Sequence, residues 1–390
     1  MITVSEALER LFALLPPPQS QNVPLIEAPG RVMLTDAVAR RDQPPFAASA
    51  MDGYAMRRDD VRSGNQLDVI GEAAAGHRYG GTIQPGQTVR IFTGAPVPQG
   101  GEAVVIQENV TATGGQITLG PDAPGSQNIR PAAGDFAIGS VLHAPRRIRA
   151  ADCALLAAMN VATISAARRP SVAIIATGDE LVMPGEDPNE NQIIASNSFG
   201  LHAMIKAAGG APRLLPIARD TTEALALALE LAKDADIIVT IGGASVGDHD
   251  LVAAATQAAG MERSFWKVAM RPGKPLMAGK IGKSVLIGLP GNPVSALVCG
   301  RVFLIPVIEA MLGLPAKAPA QRSLPLAAAL AANGPRAHFL RAQITDDGVR
   351  AFGKQDSSLL TVLADADCLI VQPPGDSARA KGEMINIIDL

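Results

Sequence analysis

Three loops in the second half of the chain carry residues that can do chemistry together. Gly242-Gly243-Ala244-Ser245 can turn consecutive backbone N–H groups toward an anion, because glycine tolerates the dihedrals and admits a ligand close to the backbone. The same residues also suit a tight strand-to-helix turn, and the pattern is neither a Walker A loop nor a GxGxxG fingerprint. Asp248 and Asp250 follow, two apart; either can cap the next helix, and together they suit a hard cation such as Mg²⁺. Thr177-Gly178-Asp179-Glu180-Leu181 supplies two more carboxylates. Lys267, Arg271 and Lys274 put three cations in one short stretch. They can hold phosphate or an oxyanion, Arg bidentately and Lys as a point charge, or make an ordinary solvated turn. Pro290-Gly291-Asn292-Pro293 reads as a rigid corner, with Asn292 capping a helix and Pro293 in its first turn.

These loops need strands to aim them. The apolar pattern predicts strands over 172–176, 214–217, 237–241, 265–270 and 285–289, and helices over 199–208, 222–233, 251–259 and 294–311. Strand–helix alternation at this spacing means βαβ units and a largely parallel sheet. The loops then fall at the carboxyl ends of the strands, where an open α/β sheet builds its site.

The rest of the chain differs in texture. Thr3 and Glu6 have capping-box spacing, Leu8, Leu11 and Leu15 follow at helical intervals, and Pro16-Pro17-Pro18 stops the helix. Residues 46–137 are rich in Gly and Pro, with short apolar runs. There 104–106 and 117–119 flank Gly114-Gly115 as a hairpin. Residues 139–170 return to helix formers, and if the first helix packs there, the β segment is an insertion in a helical domain. After Pro315, strands at 339–344 and 349–352 flank Asp346-Asp347-Gly348, with two more at 369–371 and 385–388. The expected domains are therefore 1–45 with 138–170 (helical), 46–137 (β), 171–315 (α/β) and 316–390 (small β).

Composition narrows the function. The 390 residues are 47% hydrophobic but only 3% aromatic, so Ala, Val, Leu and Ile must fill the cores. A formal net charge of -3 with mixed signs argues against a nucleic-acid surface. No run reads as a membrane span of about 18 uncharged apolar residues. Glu6, Glu9 and Arg10 do not fit a signal peptide, so the chain reads as cytoplasmic. The three cysteines are far apart and the five histidines show no metal spacing.

Taken in order, the segments 49–55 (Ser-Ala-Met-Asp-Gly-Tyr-Ala), 93–96 (Thr-Gly-Ala-Pro), 177–181, 242–250, 271–275 and 289–295 resemble the molybdopterin molybdenumtransferases, the family that includes the E domain of gephyrin. The resemblance runs over essentially the whole chain. It implies molybdenum cofactor biosynthesis, in which molybdenum from molybdate enters adenylylated molybdopterin and AMP is released with the support of Mg²⁺. It implies a multidomain α/β protein: a parallel α/β pterin-binding domain, an inserted β domain, a helical linker or dimerisation domain, and a C-terminal β barrel. The assembly it implies is an elongated homodimer, with the adenylyltransferase and cofactor-accepting enzymes as further partners. By motif position it assigns catalytic roles to Asp52, Thr93, Asp135, Glu180, Asp220 and Asp250, with Glu180 and Asp250 on the metal. It assigns substrate binding to Gly242, Gly243, Ser245, Lys267, Arg271, Lys274, Pro290, Pro293, Arg341 and Ser357. The family usually has Lys where this chain has Arg271, and often Asp where it has Ala195. Two other readings remain: a molybdopterin adenylyltransferase using ATP, and a non-catalytic scaffold of the gephyrin kind.

Overall fold

The computed structural model describes residues 1–125, 127–242 and 251–390. They divide into two compact units, residues 22–166 and residues 1–21 with 167–390.

In the first unit, a six-stranded sheet has the order Ala103–Ile106, Gly53–Met56, Gln87–Ile91, Gln66–Ala73, Gln116–Leu119, Val110–Thr113. The glycine pair does turn a hairpin, but its first arm is Val110–Thr113 and not 104–106. Ala103–Ile106 pairs instead with Gly53–Met56. Both segments are short and β-branched, so local pattern alone does not choose between them. A second core gathers Met33, Ile148, Leu156 and Ile164. Residues 139–170, expected to be helical, contain one nine-residue helix, Ala150–Ala158. The rest is strand and turn, including Val141–Leu142, Arg146–Arg147 and Thr163–Ala167. The helix start is fixed by Asp152, which accepts from Arg146 and Arg149 and is almost fully buried.

The second unit opens with the helix Val4–Phe12. Its capping box is complete: the Glu6 N–H donates to Thr3 Oγ1 at 3.2 Å, and the Thr3 N–H donates to the Glu6 carboxylate at 2.7 Å. Ala7, Leu8 and Leu11 make the buried face. This helix stands with the α/β elements. Ile2 bridges to Val268, and Arg10 donates to the Ser264 carbonyl across 254 residues of sequence.

The α/β sheet has the order Ala211–Leu214, Ser171–Ala176, Ile237–Ile241, Ser284–Leu289, Met277–Ile281, Glu262–Trp266. The first four strands pair in parallel and the last two pairings are antiparallel, so that Met277–Ile281 alone runs against the rest. The strand expected at 214–217 lies at 211–214, and that expected at 265–270 lies at 262–266. Met277–Ile281 had no sequence signal, because Met-Ala-Gly-Lys-Ile lacks β-branched alternation. The two central strands are buried along their whole length, as a sheet covered on both faces requires. Asp236 ties the start of Ile237–Ile241 to that of its neighbour Ser171–Ala176, taking two bonds from Arg168 at 3.0 and 2.7 Å and one from the Ser171 N–H at 2.7 Å.

The long helix from Pro293 contains a π-helical turn, Gly300–Leu304, between Pro293–Cys299 and Ile305–Met311. By length and composition Pro293–Met311 is apolar enough to cross a membrane, but 78% of that stretch is buried inside the protein. The C-terminal sheet places Ala337–Thr345, Cys368–Gln372, Met384–Asp389 and Arg322–Pro325 side by side, antiparallel, with Gly348–Ala351 folded back on the first. Met270–Arg271 joins its edge in parallel, opposite Ala337 and His338.

Candidate active site

The carboxyl ends of three parallel strands converge on a cavity of about 700 Å³. Ser171–Ala176 runs into Thr177 and Gly178, Ile237–Ile241 into Gly242, and Ser284–Leu289 into Pro290 and Gly291; all of these line it. The turns are packed backbone to backbone. Gly242 has φ +93°, and a Cβ there would meet the Thr177 carbonyl and hydroxyl at 3.0 Å. Its N–H donates to the Leu289 carbonyl at 3.1 Å. Only glycine fits that turn.

Glu180 and Asp220 share the cavity wall. The Asp220 carboxyl is pushed above its ordinary range, first by burial and then by the charges of Asp179 and Glu180. Asp179 helps to place it by accepting the Asp220 N–H at 3.2 Å. Such crowding of carboxylates suits a divalent cation, which would relieve it. Among the described residues no group of three or more His, Cys, Asp and Glu is arranged to hold a metal by itself. Gly243, Ser245 and Asp250 lie outside the described residues.

Pro290 and Pro293 line the cavity. The corner they form is held in a way the sequence does not announce. Asn197 donates its side-chain amide to the Gly291 carbonyl at 2.7 Å. Asn292 makes no side-chain cap bond to the helix it begins, contrary to expectation. Its amide donates to the Ser357 hydroxyl at 3.1 Å, while the Ser357 carbonyl accepts the Val294 N–H at 3.0 Å. Ser357 therefore sits at the mouth of the helix, and its neighbour Ser358 lines the cavity. Arg341 is fully buried and sets that loop, donating from Nε to Gln355 at 3.1 Å and from Nη1 to the Asp356 carbonyl at 2.8 Å. Its Nη2 is buried with no partner among the described residues.

Lys267, Arg271 and Lys274 are not among the cavity-lining residues, although Pro275 is. Lys267 has φ +70° and lies over the Trp266 ring, 4.6 Å from its centre. Arg271 Nη2 donates to His338 Nδ1 at 2.7 Å. His338 is held neutral, its pKa lowered to about 4 by burial first and then by Arg271, Arg341 and Arg336. Three arginines around one uncharged imidazole leave a local excess of positive charge.

Asp52, Thr93 and Asp135 belong to the other compact unit. Thr93 donates both its N–H and its hydroxyl to Asp52 Oδ1 at 2.7 Å, and these bonds hold the carboxyl below its ordinary range. Asp135 is exposed, and its backbone N–H donates to the Gln43 carbonyl at 2.9 Å. Sequence reasoning missed Asn197, Asn292 as a tether, and the apolar wall of Ile193 and Ile194. Only Asn197 had a signal nearby, two residues after the departure at Ala195.

Residues 2–160 match the MoeA N-terminal region (domain I and II), residues 173–310 the "Probable molybdopterin binding domain", and residues 323–390 the MoeA C-terminal region (domain IV). The molybdopterin molybdenumtransferase of Nostoc sp. is 34% identical over 100% of this chain and 94% of its own. The chain belongs to the molybdopterin molybdenumtransferase family. Another relative, molybdopterin molybdenumtransferase 2 of Mycobacterium tuberculosis, is 35% identical over 95% of each chain. The crystal structure of the molybdopterin biosynthesis moeA protein from Pyrococcus horikoshii OT3 matches with a TM-score of 0.85 at 28% identity, covering 100% of both chains. The multidomain α/β fold is shared with it.

Proposed function

We propose that this chain is the molybdenumtransferase of molybdenum cofactor biosynthesis, moving molybdenum from molybdate onto adenylylated molybdopterin with release of AMP. One observation carries the reading. The domain matched as molybdopterin-binding places its glycine turn, carboxylates and proline corner around one cavity, in a chain that matches named molybdenumtransferases end to end. The matches on both sides of that domain disfavour a lone adenylyltransferase. The carboxylates set around the cavity disfavour a scaffold without catalysis.

In this reading the Gly242 turn, with Gly243 and Ser245, holds phosphate oxygens through backbone and side-chain donors. Pro290 and Pro293 keep the opposite corner rigid. Lys267, Arg271 and Lys274 offset the negative charge of two anionic substrates. Arg341 and Ser357 take part in substrate binding. Asp52, Thr93, Asp135 and Asp220 act as catalytic groups. Glu180 and Asp250 would hold Mg²⁺, which when bound polarises the phosphoanhydride-like bond. The protein works as a cytoplasmic homodimer with a C-terminal β barrel.

The test is direct. Purified protein is given adenylylated molybdopterin and Mg²⁺, and AMP is measured before and after molybdate is added. AMP release that depends on molybdate, with molybdenum retained on the pterin, is expected. Absence of AMP release, or consumption of ATP with molybdopterin instead, would overturn the reading. Sedimentation velocity decides the homodimer separately.

A further inference from the structure

Asp52 is fixed by more than Thr93. The Gln107 N–H donates to the Asp52 carbonyl at 3.1 Å. One residue on, the Gly53 carbonyl accepts from Arg90 Nη1 at 3.2 Å. Arg90 Nη2 then donates to Gln107 Oε1 at 2.5 Å. One guanidinium thus ties together two segments that grip Asp52. Its own orientation is fixed by aromatic faces. The guanidinium carbon stands 4.9 Å from the centre of the Tyr54 ring and 5.0 Å from that of Phe92. Tyr54 is its direct cross-strand partner, so sheet register delivers Arg90 to this place. The register is itself rigid, because Gly53 lies between Ile91 and Ile106 with no room for a Cβ against Val105. Among the described residues Asp52 Oδ2 accepts no hydrogen bond, which leaves one oxygen of the carboxylate available.

We propose that Arg90 is a positioning residue for Asp52, acting through the Gly53 carbonyl and Gln107 to hold the carboxylate with Oδ1 on Thr93 and Oδ2 free. The inference rests on the catalytic role proposed for Asp52. Lysine cannot fully replace the fork, since one ammonium has no planar pair of N–H groups to serve two acceptors in fixed directions. The positive charge of Arg90 also contributes to the lowered Asp52 pKa, after the two Thr93 bonds.

The test uses the full-length protein with Arg90→Gln, Arg90→Lys and Gln107→Leu, each alone and with Asp52→Asn. Turnover is measured as AMP release, and the Asp52 carboxyl is titrated by ¹³C NMR. Arg90→Gln should lower kcat about tenfold with KM little changed, and should raise the Asp52 midpoint. Arg90→Lys should recover part of the kcat, and Gln107→Leu should give a milder loss of the same kind. In the Asp52→Asn background, Arg90→Gln should cost nothing further, since a residue acting through another loses its effect with it. An unmoved Asp52 midpoint in folded Arg90→Gln protein would overturn the proposal. So would an equal loss from Arg90→Gln with and without Asp52. Should Arg90→Gln fail to fold, Arg90→Lys and Gln107→Leu decide the matter by the same midpoint. Full turnover by Asp52→Asn would instead overturn the catalytic assignment of Asp52, while the titration still decides what Arg90 does.

Discussion

Asn292 gives its side-chain amide to the Ser357 hydroxyl and not to the helix it precedes. The bond links the corner after Ser284–Leu289 to a loop of the C-terminal segment, 65 residues on. Asn292→Ala should cost about 1 kcal/mol of stability. Under the proposed function it should also raise the substrate concentration needed for half-maximal turnover, molybdate included, several-fold, because Ser357 loses its lateral tether. Ser357→Ala should do less to stability, since the bond from Val294 to its carbonyl remains. Urea denaturation and molybdate titration of both variants check this. An Asn292→Ala protein unchanged in both would count against the tether.

Gly242 and Gly282 both have positive φ, +93° and +56°. They differ in surroundings: a Cβ at 282 meets nothing within 4 Å. Gly242→Ala should cost about 2 kcal/mol or more, because Thr177 is part of a buried strand end and cannot yield. Gly282→Asn should cost less than about 0.5 kcal/mol, asparagine being at ease in that region. Equal losses at the two positions, in chemical denaturation, would refute the close-packing account.

Glu180→Gln keeps the shape of the side chain and removes its charge. Under the proposed function it should raise the Mg²⁺ requirement and slow AMP release by about two orders of magnitude, with little effect on thermal unfolding. The expected effect of Asp250→Ala is the same. Wild-type turnover at ordinary Mg²⁺ in either variant would remove that residue from the metal.

His338 gives a pH dependence with a definite sign. Its folded pKa, about 4, lies below the ordinary 6.5. Its contribution to stability is therefore complete above pH 6.5. It is lost as pH falls toward 4, where the unfolded chain takes a proton that the folded one refuses. Arg271→Gln removes a positive neighbour and a bond to Nδ1. The His338 midpoint should rise and the acid loss should shrink. Imidazole titration by NMR measures the first and denaturation between pH 4 and 7 the second. A midpoint that stays in place would show that burial alone sets it.

The inner parallel strands were legible in the sequence because they are bare apolar runs, two of them ended at once by Gly or Pro, as at 237–242 and 285–290, whereas the edge strand Ala211–Leu214, with Pro and Arg in it, was placed three residues late. Once they are placed, the cavity follows from topology, and Glu180, Gly242, Pro290 and Pro293 fall on it. Local pattern fails where the partner is distant. Met277–Ile281 becomes a strand through its neighbours Ser284–Leu289 and Glu262–Trp266, not through its own composition. The hairpin arm at 110–113 carries fewer β-branched apolar residues than 104–106, and only the pairing of the latter with Gly53–Met56 settles it. Asn292 obeyed every rule for a cap and was drawn off by a hydroxyl that sequence distance hides.

The first helix also has a history in time. Ala7, Leu8 and Leu11 leave the ribosome early, yet Ser264 and Val268, to which Arg10 and Ile2 of the same segment bond, come some 250 positions later. At about 5–20 residues per second, that is a wait of roughly ten to fifty seconds. Throughout it the apolar face has nowhere native to go. A nine-residue helix is too short to persist alone in water. The capping box therefore cannot hold the segment folded while it waits. The second compact unit can close only when its last-made half reaches back to its first twenty residues.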